Sequence, residues 1–77
     1  MMITVRYFAG ARAAAGVAEE TFPSGTTIEQ LASKKGEPFA RVLHSASFLV
    51  DGLAWHDRQA PLPAGVTVDV LPPFAGG

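Results

Sequence analysis

TTIEQLASKKG, residues 26–36, contains the helix that the sequence specifies most completely, and the fold can be predicted outward from it. Thr26 and Glu29 have the spacing of a capping box, in which each side chain accepts a backbone hydrogen bond at the start of the helix. Two lysines fill the last turn, and Gly36 is expected to end it. The apolar positions fall on one helical face: Ile28, Leu31 and Ala32. Such a helix needs a sheet to cover that face.

Segments typical of β-strands lie on both sides of this helix. In MITVRYF, residues 2–8, apolar side chains alternate, so that Ile3, Val5 and Tyr7 face one way. VTVDVL, residues 66–71, alternates in the same manner. Shorter strands are predicted in AEETF (18–22), which is close enough to the first to form a hairpin, in SFLVDG (47–52), which ends in an Asp-Gly turn, and in LAWHD (53–57) as its short partner.

Two further helical segments are short. ARAAAG, residues 11–16, stops at a glycine, and PFARVLHSA, residues 38–46, begins with a proline and has apolar residues at helical spacing. The order of elements predicts an α+β fold of the β-grasp type, with a mixed sheet packed on one main helix and one or two short helices. A single domain is expected, with its globular part in residues 1–71 and an extended C-terminal tail in residues 72–77.

Composition excludes several classes of function. The six Lys and Arg residues are scattered and the formal net charge is -1, so no nucleic-acid partner is predicted. No apolar run is long enough to span a bilayer, and we expect a cytoplasmic protein. The absence of cysteine excludes a disulfide framework, a thiolate zinc site and a thiol nucleophile. His44 and His56 have no neighbours spaced for catalysis or metal binding, and they are interpreted as solvated or partly buried side chains.

The tail LPPFAGG, residues 71–77, is the segment to which we assign the function. Pro72 and Pro73 donate no backbone hydrogen bond, so they stop strand pairing and hold the chain extended. Gly76 and Gly77 have no Cβ and could enter a channel too narrow for other residues. Once a terminal carboxylate has been adenylated with ATP, sulfide could attack the acyl-adenylate to give a thiocarboxylate. An amine could attack it instead to give an amide.

This tail resembles the C-terminal signature of MoaD-type proteins, the small sulfur-carrier subunits of molybdopterin synthase in the MoaD/ThiS family. VRYFAGARAAAG, residues 5–16, is similar to the opening segment of that family, and LPAGVTVDVLPPFAGG, residues 62–77, to its last turn, strand and tail. The resemblance implies a ubiquitin-like β-grasp fold. It also implies that Gly77 becomes the thiocarboxylate, with Gly76 beside it, and that sulfur passes to the pterin precursor in molybdenum cofactor biosynthesis.

The same resemblance implies the partners. A MoaE-like large subunit would join this chain in a heterotetramer, after a MoeB-like adenylating enzyme and a sulfurtransferase had loaded the tail. ATP and magnesium would belong to the adenylating enzyme, and no cofactor is expected on this chain. The partner-binding positions carried over from the family are Pro72, Pro73, Phe74, Ala75, Phe8, Arg12, Leu53 and Trp55, although the aromatic ring of Phe8 fits a core position equally well.

The residues alone leave other functions open. A carrier for thiamine, cysteine or tRNA thiolation would look similar over most of the chain, although the proline pair favours the molybdenum pathway because thiamine-pathway carriers usually lack it. A protein modifier joined through Gly77 to a lysine would use the same adenylation. A structural domain with an idle tail is the third class. Lys34 and Lys35 match no motif and are interpreted as a solvated helix end.

Overall fold

The computed structural model describes the chain from Met1 to Pro73, and residues 74–77 lie outside that description. Three helices and five strands follow one another in chain order: β1 (Met2–Tyr7), α1 (Ala9–Ala15), β2 (Glu19–Pro23), α2 (Ile28–Lys34), α3 (Glu37–Ser45), β3 (Ser47–Val50), β4 (Leu53–Ala54) and β5 (Thr67–Leu71). All the strands and helices expected from the sequence are present, with bounds that differ by one or two residues, except that β4 ends three residues before the predicted 57.

The strands form one mixed sheet in the order β2-β1-β5-β3-β4. β1 pairs with β2 antiparallel, as predicted for a hairpin, although α1 lies between them in the chain. β5 occupies the centre, parallel to β1 and antiparallel to β3. The Asp-Gly turn joins β3 to β4, and both of its residues have positive φ, 49° at Asp51 and 85° at Gly52. This sheet with helices on one face confirms the predicted β-grasp fold.

One face of the sheet and the three helices enclose the core. The alternation predicted for β1 is confirmed, since Ile3, Val5 and Tyr7 are all buried. The ring of Tyr7 meets that of Phe39 on α3 edge-on, with centroids 5.4 Å apart. The other large core side chains come from the helices and from β5 and the loop before it: Ile28, Leu31, Leu43, Leu62, Val68 and Val70. The polar side of β1 and β5 faces away from the helices.

The helix layer differs from the prediction in three ways. The capping box begins one residue later than predicted, with Thr27 and Gln30 exchanging the two hydrogen bonds at 3.1 and 2.9 Å. Thr26 cannot take that role because it is buried and its hydroxyl donates to the Pro23 carbonyl at 2.7 Å. The longest helix is α3, with nine residues against seven in α2, so no single helix dominates the layer. Gly36, with φ 90°, is the residue that precedes α3 rather than the one directly after α2.

Within residues 1–73, no helix is both long and apolar enough to cross a membrane.

Candidate functional site

The tail leaves the sheet at its centre. β5 ends at Leu71 with strands on both sides, so its last residues lie beside the end of β1 and the start of β3. The amide of Phe8 donates to the Val70 carbonyl at 3.2 Å, and Ser47 pairs with Leu71 across from it. Pro72 and Pro73 follow outside any strand. We call Leu71–Pro73 the tail root.

Phe8 lies beside the tail root and is not a core residue. Its side chain is 40% exposed, although the three alternate residues before it in β1 are buried. Phe8 is still extended and follows the buried Tyr7, so the alternation of β1 places its ring on the open face of the sheet, as it does the side chain of Arg6. The guanidinium of Arg6 lies 5.8 Å from the ring centroid. The core alternative for Phe8 is therefore wrong.

Arg12 lies one helical turn beyond Phe8. It is in the last turn of the short helix α1, and its amide donates to the Phe8 carbonyl at 3.4 Å. Its side chain is exposed, and within residues 1–73 it forms no ion pair or side-chain hydrogen bond. Of these two predicted partner-binding residues, the structure places Phe8 at the tail root and Arg12 one turn further along α1.

The structure separates Leu53 from Trp55. The amide of Trp55 donates to the carbonyl of Phe48 at 2.9 Å, and Phe48 pairs with Val70, so Trp55 lies level with the end of β5. Its indole donates to the Asp57 carbonyl at 2.8 Å, and its ring packs against the core. Leu53 is 74% exposed at the opposite end of β4, beside the Asp-Gly turn.

Strand geometry shows that Leu53 lies away from the tail root. Its cross-strand neighbour Val50 pairs with Val68 on β5. Val68 precedes Leu71 by three residues, or about 10 Å along the strand. Of the four interface residues carried over onto the domain, Phe8 and Trp55 lie level with the end of β5, Leu53 does not, and Arg12 lies on α1. Phe74, Ala75, Gly76 and Gly77 lie outside the described residues, and their roles stay predictions.

An ion pair on the open face of the sheet connects the two strands next to the tail. Arg6 Nε lies 2.7 Å from Asp69 Oδ1 and donates a hydrogen bond to it, and Nη2 donates to Oδ2 at 3.0 Å, a bidentate arrangement. The hydrogen bond to Asp69 and the negative charge of that carboxylate raise the pKa of Arg6. One signal for this pair is present in the sequence, because both residues are at outward-facing positions of alternating strands, but only the parallel register brings them together.

A second polar cluster lies at the other end of α1. The hydroxyl of Tyr7 donates to Glu20 Oε1 at 2.9 Å, and Lys35 Nζ lies 2.8 Å from the same oxygen. Burial, and then the hydrogen bond to Glu20, raise the pKa of Tyr7. The interpretation of Lys35 as solvated is wrong, since its side chain is one-fifth exposed and also donates to the Ala15 carbonyl at 3.4 Å. Lys34 is exposed, with its ammonium 5.7 Å from the ring centroid of Phe22.

The histidines do not form a metal or catalytic cluster in the described part of the chain. His44 lies in the last turn of α3 and His56 follows β4, and both are exposed. Among residues 1–73, no group of three or more His, Cys, Asp or Glu side chains is arranged to hold a metal ion.

Comparison with known families identifies the group to which this geometry belongs. The model of the ThiS family matches residues 5–77, nearly the whole chain including the tail. The chain belongs to the ThiS family. This confirms the predicted resemblance to ubiquitin-like sulfur carriers of the MoaD/ThiS type. No curated protein sequence gives a significant match.

Solved structures of similar fold cover nearly the whole chain. A complex of subunits 1 and 2 of molybdopterin-converting factor from Helicobacter pylori matches with a TM-score of 0.69 and 20% identity, over 100% of both chains. A Pyrococcus furiosus protein provisionally assigned as molybdopterin converting factor, subunit 1, matches with a TM-score of 0.69 and 24% identity, over 96% of this chain and 99% of that one. Small archaeal modifier protein 1 of Haloferax volcanii matches with a TM-score of 0.68 and 16% identity, over 95% and 98%. At these identities the likeness establishes the fold.

Proposed function

We propose that this protein is a sulfur carrier whose Gly77 is adenylated and converted to a thiocarboxylate, which then donates sulfur during molybdopterin formation. The observation that carries the proposal is the family match, which extends to Gly77. The end of β5 supports it, because the strand stops at Leu71 and the proline pair then directs the chain out of the sheet. The domain supplies a rigid base for the tail, and the reacting group is at its tip.

The proposed chemistry proceeds in two steps on the same carbonyl. An oxygen of the Gly77 carboxylate attacks the α-phosphorus of ATP, and pyrophosphate leaves. Sulfide then adds to the carbonyl carbon of the acyl-adenylate, and AMP leaves with the shared oxygen. ATP and magnesium belong to a MoeB-like adenylating enzyme, and a sulfurtransferase supplies the sulfur. This chain contains no cysteine, so its own side chains offer no thiol that could hold the sulfur instead.

The proposed recipient is a MoaE-like large subunit that admits the tail to its active site, where the pterin precursor is bound. The similar fold of the subunit 1 and 2 complex from Helicobacter pylori supports a partner of this kind. Phe8 and Arg12 are available to such a partner, because Phe8 is exposed beside the tail root and Arg12 is exposed one turn further along α1. We propose a heterotetramer, with two carriers at two large subunits.

The direct test is the intact mass of the protein after incubation with an adenylating enzyme, ATP, magnesium and a sulfur source. The expected result is a gain equal to the exchange of one oxygen for sulfur, located by fragmentation at Gly77. A chain lacking Gly77 is the matched control, and it should show no gain while retaining the circular dichroism spectrum of the intact protein. An unchanged mass with an enzyme that loads another carrier would overturn the proposal.

The pathway requires a second experiment. Loaded protein is mixed with a MoaE-like subunit and the pterin precursor, and molybdopterin is measured. Dithiolene formation supports the molybdenum pathway. Sulfur transfer to a thiamine, cysteine or tRNA acceptor, with none to the pterin, assigns the carrier to one of those pathways instead.

A modifier function is the second candidate, favoured by the similarity in fold to small archaeal modifier protein 1. It requires the same acyl-adenylate, followed by attack of a lysine amine on a target protein. Peptide mass spectrometry of cell extracts distinguishes the two functions. Isopeptides that end in the Gly76–Gly77 remnant indicate a modifier, whereas a free thiocarboxylate indicates a carrier.

A further inference from the structure

Amine side chains are scarce in this protein. Of its six cationic residues, only Lys34 and Lys35 are lysines, and the other four are arginines, which stay protonated and do not act as nucleophiles. The chain also lacks cysteine, so it has no thiol that could take up an acyl group. An activated carbonyl at Gly77 therefore finds an amine side chain at two positions only in this protein. The surroundings of the two lysines distinguish them.

Lys35 is bound within the domain. Its ammonium lies 2.8 Å from Glu20 Oε1 and donates to the Ala15 carbonyl at 3.4 Å, and its side chain is one-fifth exposed. Glu20 is itself fixed, because the same oxygen accepts from the Tyr7 hydroxyl at 2.9 Å. To attack a carbonyl, Lys35 would have to break both contacts and leave the partly buried Glu20 without its cation, which is costly.

Lys34 has none of these restraints. Within residues 1–73 its ammonium forms no ion pair and no hydrogen bond, and its side chain is exposed at the end of α2. The ammonium lies 5.7 Å from the ring centroid of Phe22, a contact that is weak where solvent has access. Because a lysine has a flexible four-carbon stem, this amine can turn toward an incoming carbonyl.

The register of the sheet places Lys34 far from the tail root. Phe22, beside Lys34, pairs with Ile3 on β1, and the parallel register makes Ile3 level with Val66, just before β5. Val66 precedes Leu71 by five residues, or about 16 Å along the strand, and β2 is two strand spacings, or about 10 Å, from β5. Lys34 and the tail root therefore lie toward opposite ends of the sheet.

This separation selects a second copy as the acyl donor. β5 runs from the level of Lys34 toward the tail root, so the chain leaves the sheet in the direction away from that amine. Pro72 and Pro73 stiffen its first residues, and residues 72–77 span at most about 20 Å when fully extended. The Gly77 carbonyl of the same chain would have to double back along the domain to reach Lys34, whereas that of another copy meets no such restriction.

We propose that Lys34 is the acceptor amine for the activated Gly77 of a second copy of this chain, so that copies are joined by an amide when sulfide is lacking. This inference rests on the proposed function, since it requires the acyl-adenylate. The neutral amine attacks the carbonyl carbon and a C–N bond forms. The C–O bond to AMP breaks, AMP leaves with the electron pair, and the amine releases a proton to water. Sulfide and Lys34 compete for one carbonyl, and a donor joined in this way has no carboxylate left to carry sulfur.

The test mixes two variants of the full chain with the adenylating enzyme, ATP and magnesium, without a sulfur source. The donor carries Lys34→Arg and an intact tail, and the acceptor keeps Lys34 but lacks Gly77. The expected product is a dimer with the summed mass of the two chains less one water, and fragmentation should show Gly77 joined to Lys34. Lys34→Arg in the acceptor keeps the charge but removes the nucleophile, and it should lower the yield at least about tenfold. Lys35→Arg is the matched control and should leave the yield within about twofold.

Sulfide added to the same mixture should reduce the dimer and produce the thiocarboxylate of the donor instead. Pyrophosphate release without any dimer, or a dimer linked through Met1 or Lys35, overturns the assignment of Lys34 and leaves the carrier function standing. A wild-type monomer that loses one water, by closing a ring within one chain, overturns the choice of a second copy. A wild-type chain that releases no pyrophosphate overturns the proposed function together with this inference. Circular dichroism of all variants checks the fold.

Discussion

Two arginines next to helix ends have opposite surroundings. Arg58, in the loop between β4 and β5, donates to the carbonyls that end α3: Leu43 at 2.8 Å, His44 at 3.2 Å and Ala46 at 3.3 Å. Its guanidinium also lies 5.0 Å from the ring centroid of Phe48. Arg12, on α1 one turn beyond Phe8, has no side-chain hydrogen bond or ion pair within the described residues. The guanidinium of Arg58 donates to carbonyls of its own chain, whereas that of Arg12 is accessible to solvent or to a partner.

This difference extends to the neighbourhoods of the two residues. Around Arg58 the polar groups are bound within the chain, since its own carbonyl accepts from the Glu29 amide at 3.0 Å and ties the loop to α2. Around the tail root the exposed groups are an apolar ring at Phe8 and the loosely paired Arg41, and a shallow groove lies at Gly10 between α1, α3 and the proline pair. Buried polar groups are normally hydrogen-bonded, as those around Arg58 are. The groups around the tail root are exposed instead, and they remain accessible to a partner.

The largest stability effect is expected at Arg58. Arg58→Ala removes the donors to three carbonyls and the contact with Phe48, and we expect it to lower the free energy of unfolding by about 2–3 kcal/mol. Urea denaturation followed by the fluorescence of Trp55 measures the loss. Arg58→Lys keeps the charge but not the planar fork of donors, so its loss should be intermediate. An unchanged midpoint of urea denaturation in Arg58→Ala would show that the end of α3 does not depend on these hydrogen bonds. Arg58 would then not differ from Arg12 in its contribution to stability.

The opposite result is expected at Arg12. Arg12→Ala should change the free energy of unfolding by no more than about 0.5 kcal/mol, as at surface sites without structural contacts. It should raise the Kd for a MoaE-like large subunit about tenfold, equivalent to about 1.4 kcal/mol of binding. Phe8→Ala should act in the same direction. Lys34→Ala, which removes an exposed cation from α2, serves as the control, and an equal rise in Kd there would mean that net charge alone is responsible.

Local patterns predicted the scaffold well. Alternation in β1 identified its buried face, and the Asp-Gly pair predicted the hairpin that joins β3 to β4. These features depend on neighbours in the sequence, where periodicity and turn chemistry are informative. The capping box was misplaced by one residue because Thr26 and Thr27 are both suitable caps. The choice between them depends on the buried bond from Thr26 to Pro23, which is a matter of tertiary packing.

The surroundings of the tail root were harder to predict. The exposure of Phe8 does follow the alternation of β1, but its position beside the end of β5 depends on the parallel pairing of the two strands. The bond between Arg6 and Asp69 joins residues 63 positions apart and requires the parallel register of β1 and β5. The groove at Gly10 exists only where α1, α3 and the proline pair meet. Such sites combine distant segments, so no local pattern in the chain indicates them.

The smallest effect at neutral pH concerns Tyr7, which precedes the exposed Phe8 but belongs to the internally bound part of the molecule. Tyr7→Phe removes the hydrogen bond to Glu20 and should lower the free energy of unfolding by about 1 kcal/mol. Because this is the one tyrosine of the chain, its ionisation can be followed directly by the near-ultraviolet absorbance of tyrosinate. The folded protein should show no tyrosinate absorbance at about pH 10, where a free tyrosine is half ionised.

The pH dependence follows from the sign of the shift. The pKa of Tyr7 is raised in the folded state by burial and by Glu20, so above about pH 10 the unfolded chain binds fewer protons than the folded one. The stability contributed by Tyr7 is therefore complete below that pH and is lost as pH rises toward the folded-state pKa. The difference in free energy of unfolding between wild type and Tyr7→Phe should shrink above pH 10. A constant difference, or tyrosinate absorbance in the folded protein, would place Tyr7 with the solvent-exposed groups of the tail root instead of the internally satisfied ones.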